Sequence, residues 1–355
     1  MFSAEQNDAG THSSKFMNRK KLSKAAIGLG GLIAIGVFMV VRLQDFDLGE
    51  RPAHTIRFSH LSDQLEGTLL LPNGKQSPPV ALIVHGDGAQ NSWSDDGYAP
   101  LVNHLLDQGI AVFSWDKPGV GASQGNWLAQ VMDDRAAEAA AALKRLRSEP
   151  ALADSPMGFL GFSQAGWVVP QASKWAHADF AVLVGPAINW RDQGLYYMRQ
   201  RLLAQQVPPS EINDAERHEA SLFDTRFTPK EAVRLCDSSC TRHDFERRNS
   251  QADARQAISS MHTPVMILMG ETDRNVSPDE SLAVWSERLP KQTHRCIRKI
   301  PSATHGLLRS TWFDYQLTSQ WPWYSKAVFL MYGRDAYAPN ALSSISSWVL
   351  DRKCG

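Results

Sequence analysis

The sequence MGFLGFSQAGWVV, residues 157–169, decides the fold. Its first half is an apolar run that predicts a buried strand, and its second half predicts a helix that begins just after Ser163. A serine held on so sharp a turn requires small residues two positions before it and two positions after it, and these are Gly161 and Ala165. The segment therefore predicts an exposed, nucleophilic Ser163, with simple capping of the helix as the structural alternative.

Predicted strands and helices alternate on both sides of this turn. Strands are expected at 54–60, 65–72, 79–86, 110–116, 157–163, 180–186, 264–270 and 294–300. Helices are expected at 97–108, 131–147, 164–176, 279–288 and 340–351. The first two strands form an antiparallel pair, and the alternation that follows predicts an α/β fold with a mostly parallel, doubly wound sheet.

Residues 187–261 interrupt this alternation. The segment is polar and rich in Arg, Gln and Glu, and it contains helical patterns but no apolar strand. We therefore expect a helical insertion that divides the globular core into residues 42–186 and 262–355.

The N-terminal sequence predicts where in the cell the protein is located. Residues 25–41, AAIGLGGLIAIGVFMVV, carry no charge, and at about 1.5 Å per residue they span roughly 26 Å, marginally enough for a bilayer core. Five basic residues precede this run and acidic residues follow it, so the positive-inside rule makes residues 1–24 a cytoplasmic basic tail. We expect a transmembrane signal anchor at 25–41 in the inner membrane, with the rest of the chain in the periplasm if the source is bacterial. A cleaved signal peptide and a buried core helix are the alternatives.

If the four cysteines lie outside the cytoplasm, where thiols tend to be oxidised, they can form disulfide bonds. Cys236 and Cys240 lie four residues apart in a polar loop, close enough to bridge locally. A bond between Cys296, in a predicted strand, and Cys354 would hold the C-terminus on the sheet. Four cysteines allow three pairings, so this pairing is a hypothesis, and unpaired thiols are the alternative.

The composition excludes several classes of protein. Of 355 residues, 43% are hydrophobic and 21% are charged, which excludes a disordered polyelectrolyte and a polytopic membrane protein. Lys plus Arg and Asp plus Glu both number 37, so no broad basic surface for nucleic acid is expected. The sequence lacks HExxH, paired CxxC and P-loop motifs, and the glycine-rich run 119–125 lacks the spacing of a dinucleotide loop. We expect no metal and no cofactor.

A serine nucleophile needs a histidine base, and the base needs a carboxylate that orients it. In the chain order serine–acid–histidine, the acid follows a later strand and the histidine follows the last one. Asp273 comes just after the seventh predicted strand, and His305 comes just after the eighth. These positions place both side chains at the same sheet edge as Ser163. Glu271 is the alternative acid, and an ordinary turn aspartate with a surface histidine is the structural alternative.

An oxyanion hole requires backbone N–H groups that face a developing negative charge. The segment HGDG, residues 85–88, leaves the first predicted parallel strand at the edge where Ser163 is expected. The N–H of Gln164 is one candidate donor, because it follows the nucleophile and begins a helix. The N–H of Asp87 is the other candidate, with Gly88 next to it.

The order of these segments, HGDG, GFSQAG, Asp273 and His305, resembles the α/β-hydrolase superfamily over residues 54–351. The stretch WDKPGVGAS, residues 115–123, is similar to the family motif D-x-R-G-x-G-x-S, with Lys117-Pro118 where the arginine usually stands. The esterase, lipase, thioesterase and aminopeptidase-like branches share these features. The resemblance implies an α/β-hydrolase sheet and a helical cap formed by residues 187–261.

The resemblance also implies a serine hydrolase that cleaves a carboxylic ester in a small-molecule acyl substrate through an acyl-enzyme. The alternatives are an aminopeptidase-like serine peptidase, a thioesterase and a non-catalytic, membrane-tethered binding protein. Aromatic side chains from the insertion and from the segment after His305 are candidate pocket walls: Trp190, Tyr196, Tyr197, Trp312, Trp321 and Trp323. Nothing in the sequence indicates an oligomeric state.

Overall fold

One sheet organises the protein, for which the computed structural model describes Gly36 and residues 39–354. Its strands, numbered along the chain, are β1 (Ala53–His60), β2 (Asp63–Leu70), β3 (Val80–Val84), β4 (Ala111–Trp115), β5 (Met157–Phe162), β6 (Phe180–Val184), β7 (Val265–Gly270) and β8 (Arg295–Ile300). Their order in the sheet is β1-β2-β4-β3-β5-β6-β7-β8. The pairs β1–β2 and β2–β4 are antiparallel, and all other neighbours in the sheet are parallel.

Helices connect the strands and follow the last one. They are α1 (Ala99–Asp107), α2 (Met132–Arg147), α3 (Ala165–Ala176), α4 (Trp190–Ala204), α5 (Pro209–Arg226), α6 (Pro229–Ala232), α7 (Arg242–Asn249), α8 (Arg255–Ser259), α9 (Pro278–Arg288), α10 (Ser310–Phe313), α11 (Trp323–Tyr332) and α12 (Ala341–Asp351). Short 3-10 helices occur at Gln44–Phe46, Trp127–Ala129, Pro150–Leu152, Thr318–Gln320 and Gly333–Ala336.

The predicted alternation of strands and helices is confirmed, and each boundary lies within two residues of its expected position. Differences of two residues occur at both ends of β2, at the start of α1 and at the carboxyl ends of β3 and β6. After β3 and β6 the strand is followed by glycine-containing sequence, so composition alone does not mark where the strand ends.

The register of the parallel strands brings their carboxyl ends to one edge of the sheet. Val84 of β3 pairs with Gly161 of β5, and Gly270 of β7 pairs with Ile300 of β8, while β6 lies between β5 and β7. The loops that follow these strands therefore lie side by side, at the edge where open α/β sheets place their sites.

Helices cover both faces of this sheet. Every residue of β3, β4, β6 and β7 is buried. One apolar cluster contains Trp285 of α9 together with residues of α2 and α3, and a second contains Trp348 of α12 together with residues of α1. Burial on two faces explains why these strands are continuous apolar runs and not alternating ones.

Residues 187–261, all of which the structure describes, hold the helices α4 to α8. Apart from an isolated bridge between Asn189 and Asp253, this segment has no β-structure. Its helical content agrees with the expectation. The division of the chain into a core of 42–186 and 262–355 and a cap of 187–261 stays a prediction.

The predicted tail at 1–24 and most of the predicted anchor at 25–41 lie outside the described residues. Of the anchor, the structure describes Gly36 and residues 39–41, all of them helical, and the helix continues to residue 43. In the described part of the chain, none of the helices combines the length and the apolar character needed to cross a bilayer.

Both expected disulfides are present, and they pair all four cysteines. Cys236 bonds to Cys240 within the insertion, where the two residues are separated by four positions. Cys296 in β8 bonds to Cys354, which follows α12. The second bond ties the C-terminus to the last strand of the sheet, as the sequence suggested.

Replacing Cys296 and Cys354 by Ser should destabilise the protein more than replacing Cys236 and Cys240 by Ser. In the chain-entropy description, a bridge between residues separated by 58 positions contributes about 4 kcal/mol, and one between residues separated by 4 contributes about 2 kcal/mol. Thermal unfolding of the two double variants measures the difference. An equal or larger loss in the Cys236/Cys240 variant would contradict the stabilising role of the C-terminal bridge.

Candidate active site

Ser163 occupies the turn between β5 and α3 in a left-handed backbone conformation, with a φ of 54°. Strand and helix meet so closely that a Cβ on Gly161 would lie 2.6 Å from the Cβ of Ala165. Packing therefore requires the small residues that the sequence has at these positions. The N-cap of α3 is Gln164, and no side chain caps the helix, so a merely capping Ser163 is not supported. Such strained serine conformations are held only by their surroundings and are typical of functional sites.

Asp273 and His305 form a hydrogen-bonded pair at the same edge of the sheet. The Nδ1–H of His305 donates to Oδ2 of Asp273 at 2.7 Å. The Asp273 side chain is fully buried, whereas the His305 side chain is 20% exposed. Both rest on Gly185, whose φ is 56° and where a Cβ would lie 2.7 Å from the imidazole and 3.2 Å from the carboxylate. A glycine at position 185 is thus required for this pair to form.

Further hydrogen bonds distinguish Asp273 from its alternative, Glu271. Oδ1 of Asp273 accepts from the backbone N–H groups two and three residues later, at 2.8 and 2.9 Å, which leaves Oδ2 for the imidazole. Glu271 instead accepts from the N–H of Ser302 at 2.9 Å. The structure thus places the predicted acid, and not the alternative one, beside the predicted base.

His305 follows β8, but its imidazole lies over Gly185, just after β6, the strand next to β5 and Ser163. The N–H of Ser163 donates to the carbonyl of Val184 at 2.9 Å, and Val184 directly precedes Gly185, on which the imidazole rests. Ser163 and the imidazole of His305 therefore both lie at the carboxyl end of β6, one bonded to Val184 and the other resting on Gly185. Among the described residues, the one hydrogen bond of the His305 ring is that to Asp273. Hydrogen bonds between catalytic groups often tighten only when substrate binds.

The loop after β3 passes beside the nucleophile. A Cβ on Gly86 would lie 3.3 Å from the Cβ of Ser163. Within the described part of the chain, the backbone N–H groups of Asp87 and Gln164 have no hydrogen-bond acceptor. Both predicted donors are therefore available to an oxyanion. The N–H of Gly88, the neighbouring candidate, instead interacts with the Asp87 carboxylate.

Lys117 binds this loop from within the protein. Its Nζ donates to the carbonyl oxygens of Gly86 and Gly88 at 2.6 and 2.8 Å, and the residue is 3% exposed. Burial, reinforced by the charge of Arg135, holds the pKa of Lys117 well below its usual value. A peptide unit is planar, with its N–H opposite its C=O, so binding the Gly86 carbonyl directs the Asp87 N–H away from Lys117.

Two arginines extend this network. Arg135 of α2 is buried and donates to the carbonyl of His85 and to Oε1 of Gln164 at 2.6 and 2.8 Å. Nε2 of Gln164 donates to Asp87 at 3.0 Å, and Arg242 of α7 binds both carboxylate oxygens of Asp87. Burial alone would raise the pKa of Asp87, but the hydrogen bonds and charge of Arg242 outweigh it and hold that pKa below its usual value. The helical insertion is thereby linked to the oxyanion loop.

His85, the first residue of the HGDG segment, is a structural residue. Its Nε2–H donates to the carbonyl of Trp115 at 2.8 Å, and its ring stacks on that of Tyr98. Burial, with the nearby charge of Lys117, lowers the pKa of His85 to about 3, so the ring stays neutral. No cluster of three or more His, Cys, Asp or Glu side chains suited to a metal occurs among the described residues.

The aromatic residues considered as pocket walls have different surroundings. Tyr196 lies against the site, because its hydroxyl donates to the backbone carbonyl of Asp273 at 2.7 Å. Burial, with the charge of Asp273, raises the pKa of Tyr196 to about 12 and keeps this donor protonated. Trp190 stacks on Trp167 in the core, with 5.1 Å between ring centroids. The backbone carbonyl of Tyr197 accepts a hydrogen bond from Gln316, and the ring of Trp321 packs against Phe313. Trp312 and Trp323 are exposed.

Three further residues of the site, Lys117, Arg135 and Arg242, were not predicted from the sequence. Lys117 could have been recognised, because it stands in the segment 115–123 where the family motif has its arginine. Arg135 could also have been recognised, because it lies three positions after Met132 on the apolar face of the predicted helix, where a buried charge needs hydrogen-bond partners. No feature of the sequence identifies Arg242, because nothing in the sequence shows how the insertion packs over the sheet.

Solved structures with a similar fold include three hydrolases. Esterase Pf2001 from Pyrococcus furiosus is 18% identical, with a TM-score of 0.53 over 82% of this chain and 93% of that chain. Est1E from Butyrivibrio proteoclasticus, solved with ferulic acid, is 16% identical, with a TM-score of 0.50 over 77% of this chain and 96% of that chain. The α/β hydrolase GrgF from Penicillium sp. sh18 is 16% identical, with a TM-score of 0.50 over 81% of this chain and 100% of that chain. At these identities the likeness shows the fold alone.

No curated protein gives a significant match. The family model described as serine aminopeptidase, S33, matches residues 77–311, more than half of the chain and including every proposed catalytic residue. The protein has the α/β-hydrolase fold and belongs to the serine aminopeptidase (S33) family of hydrolases.

Proposed function

We propose that the protein is a serine hydrolase that cleaves a carboxylic ester through an acyl-enzyme on Ser163. The observation that carries this proposal is the hydrogen-bonded pair of Asp273 and His305, seated on Gly185 beside the strained turn of Ser163. Membership of a hydrolase family and the likeness in fold to esterases support it.

In the proposed mechanism, Asp273 holds one tautomer of His305. Because Oδ2 of Asp273 accepts the Nδ1 proton, Nε2 of His305 is left to accept the proton of the Ser163 hydroxyl. The serine oxygen then attacks the acyl carbonyl. His305 gives its proton to the leaving alkoxide, and afterwards it activates the water that hydrolyses the acyl-enzyme. Asp273 stabilises the imidazolium at both stages.

The proposed oxyanion hole consists of the backbone N–H groups of Asp87 and Gln164. Both are without an acceptor in the described structure, and both adjoin Ser163. Lys117 acts on the hole indirectly, because its bonds to the carbonyls of Gly86 and Gly88 fix the peptide unit that carries the Asp87 donor. Arg242 neutralises the Asp87 carboxylate, whose charge would otherwise oppose an oxyanion at this place.

An ester is a better substrate for this site than a peptide with a free N-terminus. An aminopeptidase needs a carboxylate that is free to bind the substrate ammonium group. The carboxylates that the described contacts place beside Ser163 are those of Asp87 and Asp273, and both are engaged, by Arg242 and by His305. The peptidase, the thioesterase and the non-catalytic binding protein are therefore alternatives to be tested against the ester hydrolase.

The proposed location is the periplasmic side of the inner membrane, with residues 25–41 as the anchor and residues 1–24 in the cytoplasm. The uncharged run, its basic flank and the two disulfides support an anchored protein whose hydrolase domain lies in an oxidising compartment.

Ser163→Ala should remove hydrolysis of short p-nitrophenyl esters and labelling by a fluorophosphonate probe. Loss of the nucleophile of a triad lowers kcat by about a million-fold. Ser62→Ala, which changes a serine in the exposed turn between β1 and β2, serves as the matched control and should keep both activities. Continued labelling of the Ser163 variant would contradict the assignment. Faster turnover of aminoacyl anilides or of thioesters than of esters by the wild-type protein would favour one of the alternative hydrolases.

Asp273→Asn should lower kcat by about 10,000-fold, because an amide in this position favours the wrong tautomer of His305. The carboxamide oxygen can still accept the two backbone bonds at Oδ1, so the fold should be retained. Glu271→Gln is the control, and it should keep nearly full activity. The reverse order of the two losses in steady-state kinetics would make Glu271 the catalytic acid.

Lys117→Met should lower kcat by about 10- to 100-fold with little change in KM, less than the roughly 100- to 1,000-fold cost of losing an oxyanion donor outright. The substitution removes the bonds to Gly86 and Gly88 without touching the nucleophile or the base. Lys75→Met, at an exposed lysine, is the matched control. A lower unfolding temperature with unchanged kcat would show that Lys117 serves stability alone.

A further inference from the structure

Helix α11 exposes an apolar face. Trp323, Tyr324, Leu330 and Met331 stand at positions i, i+1, i+7 and i+8, which share one side of a helix. The opposite side buries Ser325 completely. The helix sequence WYSKAVFLMY contains no acidic residue. A surface helix in water has the reverse arrangement, with its apolar side turned to the core.

Neighbouring residues enlarge this face. We define the α11 surface as the large apolar side chains of α11 and of the segment before it that are between 40% and 80% exposed: Trp312, Leu317, Trp323, Tyr324, Leu330, Met331 and Tyr332. Ser325 Oγ donates to the carbonyl of Trp312 at 2.8 Å, which fixes α10 against α11. A group of large exposed apolar side chains of this kind indicates an interaction site.

Packing of the domain does not require this surface. The inner side of α11 is held by Phe329, whose ring contacts those of Phe46, Phe313 and Trp321 at centroid distances of 5.3, 6.0 and 5.5 Å. The helix is therefore attached through its inner side, and the outer side is left for a partner.

The chain reaches this helix directly from the uncharged N-terminal run. Residues 39–43 are helical, and their apolar side chains are exposed. Arg42, just after the run, donates to the carbonyls of Met331 and Tyr332 at 2.8 and 3.2 Å. Asp45 pairs with Arg334 at 2.7 Å. The last residues of the run 25–41 are thus fixed at the C-terminal end of α11, a helix about 15 Å long.

We infer that the α11 surface rests in the headgroup region of the bilayer that residues 25–41 enter. This inference rests on the proposed membrane anchor and is independent of the hydrolase activity. Because α11 is about 15 Å long and its C-terminal end is bonded to Arg42, the side chains on α11 lie within about one helix length of the point where the chain enters the bilayer. Trp and Tyr are the residues enriched at membrane–water interfaces, and four of the seven residues of the surface are of these types. Lys326, exposed at its edge, can extend its ammonium group to the headgroups.

Bilayer contact can be measured on the full-length protein in phosphatidylcholine vesicles whose acyl chains carry bromine near the headgroup. Bromine quenches tryptophan fluorescence only at short range. The emission of Trp323 is obtained as the difference between the wild-type protein and Trp323→Phe, in brominated and in ordinary vesicles. Trp175→Phe is the matched control, because Trp175 is 36% exposed on α3, which covers the opposite face of the sheet.

We expect brominated lipid to remove most of the Trp323 emission and to leave the Trp175 emission unchanged. Quenching of Trp323 by aqueous acrylamide but not by brominated lipid would overturn the inference, because the surface would then face water. Protection from both quenchers would also overturn it, in favour of a second copy or of residues 1–38 as the occupant. Failure of the protein to float with the vesicles would overturn the anchor as well, whereas flotation without Trp323 quenching would overturn the surface alone.

Discussion

The contact between Gly161 and Ala165 sets how β5 runs into α3, and the site is arranged around it. It holds Ser163 at a φ of 54° and leaves the N–H of Gln164 at the start of the helix without an acceptor. Because β5 lies between β3 and β6, the loop that carries Asp87 and the glycine that supports His305 reach the same point from either side. The turn that this contact fixes thus lies between the loop of the proposed oxyanion donor Asp87 and the glycine under the proposed base His305.

Burial of the two cations beside the loop that carries Asp87 opposes folding, which indicates that they have a role other than stability. Lys117 and Arg135 are buried, and their hydrogen bonds are to carbonyl and amide oxygens and not to carboxylates. Burial of a charge without direct pairing opposes folding, and it lowers the pKa of both residues. An apolar residue would fill either position more cheaply. What the cations supply is a fixed orientation of the peptide units beside Ser163, which the proposed oxyanion hole needs before the substrate binds.

The sheet was predictable from the sequence because burial on both faces makes each central strand a continuous apolar run between turn residues. The placement of Ser163, Asp273 and His305 at one edge of the sheet was predictable because the carboxyl ends of parallel strands meet there. Their catalytic roles stay a proposal. Arg242 was not predictable, because its contact with Asp87 depends on how five helices of the insertion pack, and their polar sequence does not specify it. The exposure of Trp323 was not predicted for a related reason: the sequence made Trp323 a candidate pocket wall, because aromatic side chains favour burial, but it did not show what they pack against.

The last two helices of the chain, α11 and α12, differ in whether their tryptophans are buried. α12 buries Trp348 and Ile345 on the sheet, whereas α11 buries Ser325 and exposes Trp323. The segment between His305 and α11 is also bonded to the acid loop, since Gln316 donates to the carbonyl of Arg274 at 3.0 Å and accepts from Asn275 at 2.9 Å. The α11 surface and the proposed catalytic residues therefore belong to one hydrogen-bonded unit. A bilayer that holds this surface would set the orientation of Ser163 relative to the membrane, without any contact to the catalytic residues themselves.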